Sequence, residues 1–465
     1  SIENAAIVIA RLHRGKKRLV FCDSRSRVEQ LASLLRKEEV STFVSHSSLS
    51  ADERRRSETA FSEARDCVIV ATSSLELGID IGDLDHVIQI DAPGSVSSFL
   101  QRVGRSGRRA GTSRNCLFLA TSVQSMLFAA ALIRLWESGY VEPVLPPPLP
   151  YHVFVQQVFG LLLQEKQVTA RACIDTLQRI PFFAPTQQEV LLSILRHMTG
   201  AGILFEDHGV LWFGASGEKR YGFMNFMNVL SIFTSPPLIA VWYGRKEVGY
   251  VHESSFVKKR PIILLLAGRA WSVMDIDWTK RVAHVEPTEQ EGRSRWMGDG
   301  ADLSFEMCQK VKDVIKSDEP DPRWSKRTRD AMEQARNDYA WVSSSVFTIR
   351  HEDNGQSSLW TFAGRRVNRV LAELIERKTG FSVRAENLNV VVDGTLSPDV
   401  ISSLDASALD DSSENGDSAL MADKMAGLKF AECLPDSIKR QVFWRRYNDR
   451  ERAASILEPR PRSTD

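Results

Sequence analysis

Apolar and polar positions alternate in blocks through the first 122 residues. Short apolar runs alternate with segments of helical spacing, and these runs are RLVFC, TFVSH, CVIVAT, HVIQI and NCLFLAT. One helical segment, SRSRVEQLASLLRKE, has an apolar face made of Val28, Leu31, Leu34 and Leu35. Ser50 is placed to cap the next helix. Apolar strands between helices are typical of a parallel sheet covered on both faces. The pattern predicts an α/β domain with functional residues on loops at the carboxyl ends of strands.

The pattern changes twice after this domain. Prolines at 141–150 predict a stiff linker, and 151–217 predicts three helices and a hairpin around DHG, the order of a winged helix. Residues 218–465 begin with apolar positions of period two, which predicts a β-rich α+β domain with helices near 304–316 and 324–340. The stretch near 393–427 is rich in Ser, Asp and Gly, which predicts a disordered acidic loop.

Composition sets outer limits on the class of protein. A chain of 465 residues should form about three or four domains. Six cysteines lie far apart without a CxxC pair, which argues against a zinc site or a disulfide scaffold and fits a reducing cytoplasm. No segment resembles a signal peptide or a membrane span. The sequence begins at Ser1, so we expect the natural protein to start earlier. The net charge of +1 neither supports nor excludes a nucleic-acid partner.

A basic cluster, FLQRVGRSGRR, departs from this neutral background. Placed on a helix that starts near Ser95, it brings Gln101, Arg105 and Arg108 to one face. Gly104 and Gly107 would leave that face open to a flat anion. Arginines one turn apart match a phosphate, because guanidinium offers paired planar donors. The alternative is a solvated basic helix end without a ligand.

The cluster follows three other distinctive stretches, which are RLVFCDSRSRVEQLASLL, SHSSLSADERRR and VATSSLELGIDIGDLDHVIQIDAP. Together the four resemble motifs IV, IVa, V and VI of the second RecA-like domain of superfamily 2 helicases. TSSLELGIDIGD followed by QRVGRSGRR is most similar to the Lhr (large helicase-related) group. YGFMNF, GRAWSVMDID and RWMGD extend the resemblance over nearly the whole chain. Ser47 departs from the usual Gly of the second stretch, which leaves the role of that loop in question. The resemblance implies a RecA-like domain at 1–140.

For the nucleotide, the resemblance implies roles for residues of motifs V and VI. Arg105 and Arg108 match arginines that reach the γ-phosphate of ATP across a cleft, with Arg108 as the arginine finger. Gln101 would help to hold the cleft, and Gly104 would lie near the nucleotide. Gly78 and Asp80 match positions near the ATP ribose.

For the nucleic acid, the resemblance implies backbone contacts at three loops. The residues concerned are Ser24 and Arg25 in motif IV, His46 in motif IVa, and Thr72 and Ser73 in motif V. A lone histidine at a strand end has a structural alternative, which applies to His46. The implied partner is single-stranded or junction DNA, and RNA is possible.

Independently of the resemblance, a second group of residues indicates a contact with single-stranded nucleic acid. Trp296 lies in a glycine-flanked loop beside Arg293 and Arg295, so it either stacks on a base or caps the sheet. Trp271 lies in an apolar strand and is predicted to be core. The winged helix either contacts a duplex or braces the motor.

The sequence lacks the other half of an ATPase site. No GxxxxGK[ST] phosphate loop and no DExH tetrapeptide after a strand occurs among the 465 residues, and GASGEKR at 214–220 is the nearest approach. Phosphoryl transfer needs a phosphate loop and Mg²⁺ with an acidic partner. We therefore expect ATP with Mg²⁺ as the cofactor. The Mg²⁺ ligands should lie on a first RecA-like domain that this chain lacks, and we expect no metal site in this chain.

Two other interpretations stay open. An RNA-directed or Ski2-like helicase should continue as a helical bundle after the winged helix, whereas this chain becomes β-rich. A RecQ-like helicase is excluded, because it would need clustered zinc cysteines and this sequence has none. A non-catalytic nucleic-acid-binding subunit of a split helicase is the alternative from a different class.

Overall fold

The structure is a computed structural model. It describes residues 1–76, 84–107, 113–234, 238–256, 261–290, 292, 294, 296, 302–343, 345–405 and 418–458. The chain forms two compact units. The first unit comprises Ser1–Pro143, Pro236–Thr348 and Trp360–Gly364, and the second comprises Val144–Ser235, Ile349–Leu359 and Arg365–Asp465. The predicted boundaries at 140, 150 and 217 remain predictions.

The first unit begins with a parallel five-stranded sheet. Its strands are β1 (Lys17–Phe21), β2 (Thr42–Ser45), β3 (Cys67–Ala71), β4 (His86–Ile90) and β5 (Leu117–Leu119). Its helices are α1 (Ile2–Arg11), α2 (Arg25–Lys37), α3 (Ala51–Glu63), α4 (Val96–Val103) and α5 (Val123–Glu137). The strand order is β2-β3-β1-β4-β5, and every pairing is parallel, as predicted.

Serines fix where four of these helices begin. The helices α2, α3, α4 and α5 each follow a strand, and a serine hydroxyl at each N-cap accepts a main-chain N–H of the first turn. The four caps are Ser24, Ser50, Ser95 and Ser122. The predicted cap at Ser50 and the predicted helix start near Ser95 are confirmed.

Both faces of the parallel sheet are buried, which the continuous apolar strands predicted. One face packs on α1, α2 and residues of a second sheet through a core that includes Val20, Val70 and Ile88. The opposite face packs on α3 through Phe21, Ile69 and Phe61. The second sheet therefore shares a core with the parallel sheet inside one unit.

That second sheet has five strands, and three pairs of consecutive strands in it form hairpins. The five strands are β9 (Leu238–Tyr243), β10 (Lys246–His252), β11 (Ile263–Leu266), β12 (Arg269–Asp277) and β13 (Val282–Pro287), in the order β10-β9-β13-β12-β11. Trp271 is 5% exposed and its indole N–H donates to the Leu266 carbonyl, so its core placement is confirmed. The helices α10 (Phe305–Lys316) and α11 (Lys326–Asp338) follow, as predicted, and both contact α5.

The second unit combines helices with two small sheets. Its first helices are α6 (Tyr151–Glu165), α7 (Ala170–Leu177), α8 (Gln188–Gly200) and α9 (Ala215–Tyr221). A three-stranded sheet of order β6-β8-β7 accompanies them, made of β6 (Val168–Thr169), β7 (Leu204–Asp207) and β8 (Val210–Phe213). The four-stranded sheet β14-β15-β17-β16 is made of β14 (Thr348–His351), β15 (Ser357–Trp360), β16 (Val383–Ala385) and β17 (Asn389–Val392). The remaining helices are α12 (Arg365–Thr379), α13 (Pro398–Ser402), α14 (Ser418–Ala426), α15 (Asp436–Tyr447) and α16 (Arg450–Leu457).

Two of these helices lie within the stretch near 393–427, which was predicted to be a disordered acidic loop. The hydroxyl of Ser397 caps α13, and Pro398 occupies the first turn, where its missing N–H costs nothing. The helix α14 forms the other end of the stretch. Residues 406–417 lie outside the described residues.

In the part of the chain that the structure describes, no helix combines the length and apolar character needed to cross a membrane.

Candidate functional site

The carboxyl ends of three adjacent strands hold the predicted nucleic-acid residues of motifs IV, IVa and V. Ser24 and Arg25 follow β1, His46 follows β2, and Thr72 and Ser73 follow β3. Because β2, β3 and β1 are neighbours in the sheet, their loops lie at one edge.

Individual side chains at this edge differ in access. Ser24 and Ser73 are exposed, whereas Arg25 and Thr72 are half-buried. The Arg25 guanidinium donates to the Ser48 hydroxyl at 2.8 Å, which links the first loop to the second.

His46 is fully buried and bonded on both ring nitrogens. Its Nδ1 accepts the Ser48 N–H at 3.3 Å, so Nε2 carries the proton and donates to Oε1 of Glu29 at 2.8 Å. The ring is therefore inaccessible in this conformation, which favours the structural alternative. Ser47 is the exposed side chain of the loop 46–50.

The basic cluster is built differently from the predicted continuous helix. The helix α4 ends at Val103, with Gly104 as its C-cap, and Gly107 has φ +68°. Gln101 lies on α4 and Arg105 lies beyond its end, so the two do not share one helical face and this part of the expectation is wrong. The physical reason is the second glycine, because a Cβ at Gly107 would lie 2.5 Å from the Arg114 main-chain nitrogen.

Arg105 lies half-buried beyond the helix end, and Gln101 is exposed on α4. The Arg105 guanidinium donates from Nε to the carbonyl of Glu76 at 3.1 Å. Arg108, Gly78 and Asp80, which the resemblance assigns to the nucleotide, lie outside the described residues.

Arg102 organises this region, although no role was predicted for it. Its Nε donates to Oε1 of Glu76 at 2.7 Å, and its Nη1 donates to Asp23 at 2.6 Å and to Gln89 at 2.8 Å. Its guanidinium also lies 5.1 Å from the centre of the Phe21 ring. Glu76 accepts a second bond from the Ser98 hydroxyl.

The buried position of Arg102 could have been predicted from the helical spacing of the cluster. Val96 and Phe99 are buried, and Arg102 lies three residues further on the same face of α4. An arginine at a buried helical position needs carboxylate or carbonyl partners. Asp23 adjoins the first loop and Glu76 the third, so one side chain ties motif VI to motifs IV and V.

Trp296 lies half-buried against the core of the first unit. Its Nε1 donates to the Tyr250 carbonyl at 3.2 Å, and its ring meets the His46 ring edge-on with 5.7 Å between centroids. These contacts favour the capping alternative over a free stacking platform. Arg293 and Arg295 lie outside the described residues.

Metal ligands do not cluster in the described part of the chain: no group of three or more His, Cys, Asp or Glu side chains there could hold an ion.

Comparison with known proteins identifies the first part of the chain. Residues 3–110 match the helicase conserved C-terminal domain. The Lhr helicase/uracil glycosylase of Escherichia coli is 37% identical over 296 residues, which is 58% of this chain and 18% of that protein. The ATP-dependent helicase Lhr-Core of Methanocaldococcus jannaschii is 27% identical over 387 residues, which is 78% of this chain and 45% of that protein. The chain thus spans less than half the length of these relatives.

A solved structure extends the likeness in fold over the rest. The helicase Lhr of Mycobacterium smegmatis, bound to ssDNA and AMP-PNP, has a TM-score of 0.67 and 19% identity, covering 98% of this chain and 64% of that chain. Together with the four motifs, these similarities show that the chain is similar to Lhr-type superfamily 2 helicases, and the match to the helicase conserved C-terminal domain lies in its first unit.

Proposed function

We propose that this chain works as part of an ATP-dependent DNA helicase or translocase. It would supply the arginine finger and a surface for the nucleic-acid backbone. The observation that carries the proposal is the buried Arg102, which joins the segments of motifs IV, V and VI through Asp23 and Glu76. One rigid connection lets a change at the nucleotide reach the loops that face the strand.

The residues of motif VI fit a phosphate in their chemistry. Arg105 is half-buried, and its guanidinium offers the paired planar donors that match a phosphate. ATP would supply the phosphoryl group whose transfer drives movement. Arg108 would stabilise charge on the departing group, and Arg105 would orient the terminal phosphate. Mg²⁺ would be held by a first RecA-like domain that carries the phosphate loop.

The proposed motor needs a first RecA-like domain with the phosphate loop, in the same polypeptide or from a partner. The motif GxxxxGK[ST] of such a loop does not occur among the 465 residues. We further propose that residues 151–217 are a winged helix. Three helices and the small sheet β6-β8-β7 support this, because a winged helix needs both.

The test compares the purified chain with the chain joined to a first RecA-like domain of an Lhr relative. We expect no ATP hydrolysis by the chain alone and hydrolysis stimulated by oligo(dT) in the joined protein. DNA-stimulated turnover by the chain alone, unaffected by Arg108→Ala, would reveal a complete site and contradict the proposal. Replacing oligo(dT) by oligo(U) separates a DNA motor from an RNA-directed one.

A further inference from the structure

The loop 46–50, which joins β2 to α3, is held by the second sheet of the same unit. Leu49 and Gly249 form an antiparallel bridge. The Tyr250 N–H donates to the Ser48 carbonyl at 2.7 Å, and the Ser50 N–H donates to the Val248 carbonyl at 3.2 Å. The loop is therefore paired along the edge of β10 as a short extra strand.

Gly249 permits this close approach. A Cβ there would lie 2.4 Å from the Ser48 carbonyl oxygen and 3.0 Å from the Leu49 Cα. Both obstacles are main-chain atoms, so neither can move aside without displacing the loop. Lys246 and Glu53 add an ion pair of 2.6 Å between β10 and α3.

A buried carboxylate makes the second connection. Glu29, on α2, is 1% exposed and accepts the His46 Nε2–H from one side. On its other side it accepts the N–H groups of Ala267 and Gly268, the turn between β11 and β12. Arg36 donates to the carbonyl groups of the same two residues. The Glu29 carboxylate thus couples the loop 46–50, through His46, to the turn between β11 and β12 of the second sheet.

We propose that the second sheet positions the loop 46–50 for its contact with the nucleic-acid backbone, with Glu29 and Gly249 as positioning residues. His46 serves as the link and leaves Ser47 as the side chain that faces outward. Ser48 extends the effect to Arg25 of motif IV through their hydrogen bond. This inference rests on the proposed function for the role of the loop in strand binding, while the positioning itself does not.

The first arm of the test measures hydrogen exchange of the chain without nucleic acid. Gly249→Ala should expose the N–H groups of Ser50 and Tyr250, and Glu29→Gln those of Ala267 and Gly268. Each should exchange about tenfold faster or more, the factor for losing a hydrogen bond of this strength. Both variants should also loosen the loop 46–50. Gly160→Ala is the matched control, because a Cβ at Gly160 meets nothing within 4 Å.

The second arm measures the affinity of the same proteins for labelled oligo(dT). We expect both variants to loosen the loop and to bind oligo(dT) at least about tenfold more weakly. Gly160→Ala should change neither the exchange of the loop nor the affinity. Unchanged protection of the loop in both variants, or a loosened loop with full affinity, would overturn the inference. If the unaltered chain failed to bind oligo(dT), the proposed function would be at fault, and the exchange data would still decide whether the sheet positions the loop.

Discussion

Arg102 and Glu76 form a buried ion pair, with 2.7 Å between Nε and Oε1 and side chains that are 6% and 10% exposed. It joins the helix that precedes Arg105 to the segment that follows β3. Since the same carboxylate also accepts the Ser98 hydroxyl, Glu76 holds the start and the end of α4 at once.

Glu76→Gln removes the charge and keeps the shape, so it weakens this junction without opening a cavity. We expect the free energy of unfolding to fall by ~1.5–3 kcal/mol, the value of a hydrogen bond to a charged group. Asp52→Asn is the control, because its carboxylate is three-quarters exposed and 3.9 Å from Arg55. That change should stay within ~0.5 kcal/mol. Equal losses in urea unfolding would contradict a special role for the buried pair.

Alanine substitutions at Gly107 and Gly15 distinguish the cost of backbone strain from the cost of a steric conflict. Both have positive φ, +68° and +81°, but only a Cβ at Gly107 meets other atoms within 4 Å. Gly15→Ala should cost ~1–2 kcal/mol for the left-handed backbone alone. Gly107→Ala should cost clearly more and should also lower ATP turnover in the joined motor. Equal unfolding midpoints would show that the turn near Arg114 is not tightly packed.

Trp296→Ala distinguishes capping from stacking. Because Trp296 contacts Tyr250 and His46, we expect its replacement to lower the free energy of unfolding by an amount that approaches the ~3–5 kcal/mol of a buried Trp deletion. Thermal unfolding and oligo(dT) affinity are measured on the same protein. A stacking Trp would instead lose ~1–3 kcal/mol of strand affinity with little loss of stability. A lower melting temperature with unchanged affinity would end the stacking hypothesis.

His152 makes the second unit sensitive to acid. Burial and the nearby charge of Arg446 lower the pKa of His152 to about 4, from an ordinary value of 6.5. The unfolded chain therefore binds this proton first as pH falls. The stability from a neutral His152 is complete above pH ~6.5 and is lost progressively toward pH ~4. His152→Phe should show a smaller drop in urea midpoint between pH 7 and 5 than the unaltered chain. Equal drops would contradict the assignment.

The sequence predicted the parallel sheet well because its strands are apolar on both faces and its helices begin at serine caps. It failed where contacts outside the local periodicity decide. The backbone turn that follows α4 packs Gly107 against Arg114, and helical spacing does not reveal this contact. The roles of Glu29 and His46 depend on a turn more than 200 residues away, and a polar side chain on α2 gave no sign of it.

Arg108 in the joined motor tests most directly whether motif VI acts on the departing phosphate. ATP binding and turnover are measured for Arg108→Ala and Arg108→Lys. We predict nearly unchanged nucleotide affinity and turnover lowered by ~10³-fold or more for Arg108→Ala, as for an arginine finger. Arg108→Lys should recover little, because an ammonium lacks the planar paired donors. Nucleotide affinity that collapsed while turnover at saturating ATP stayed normal would contradict the claim.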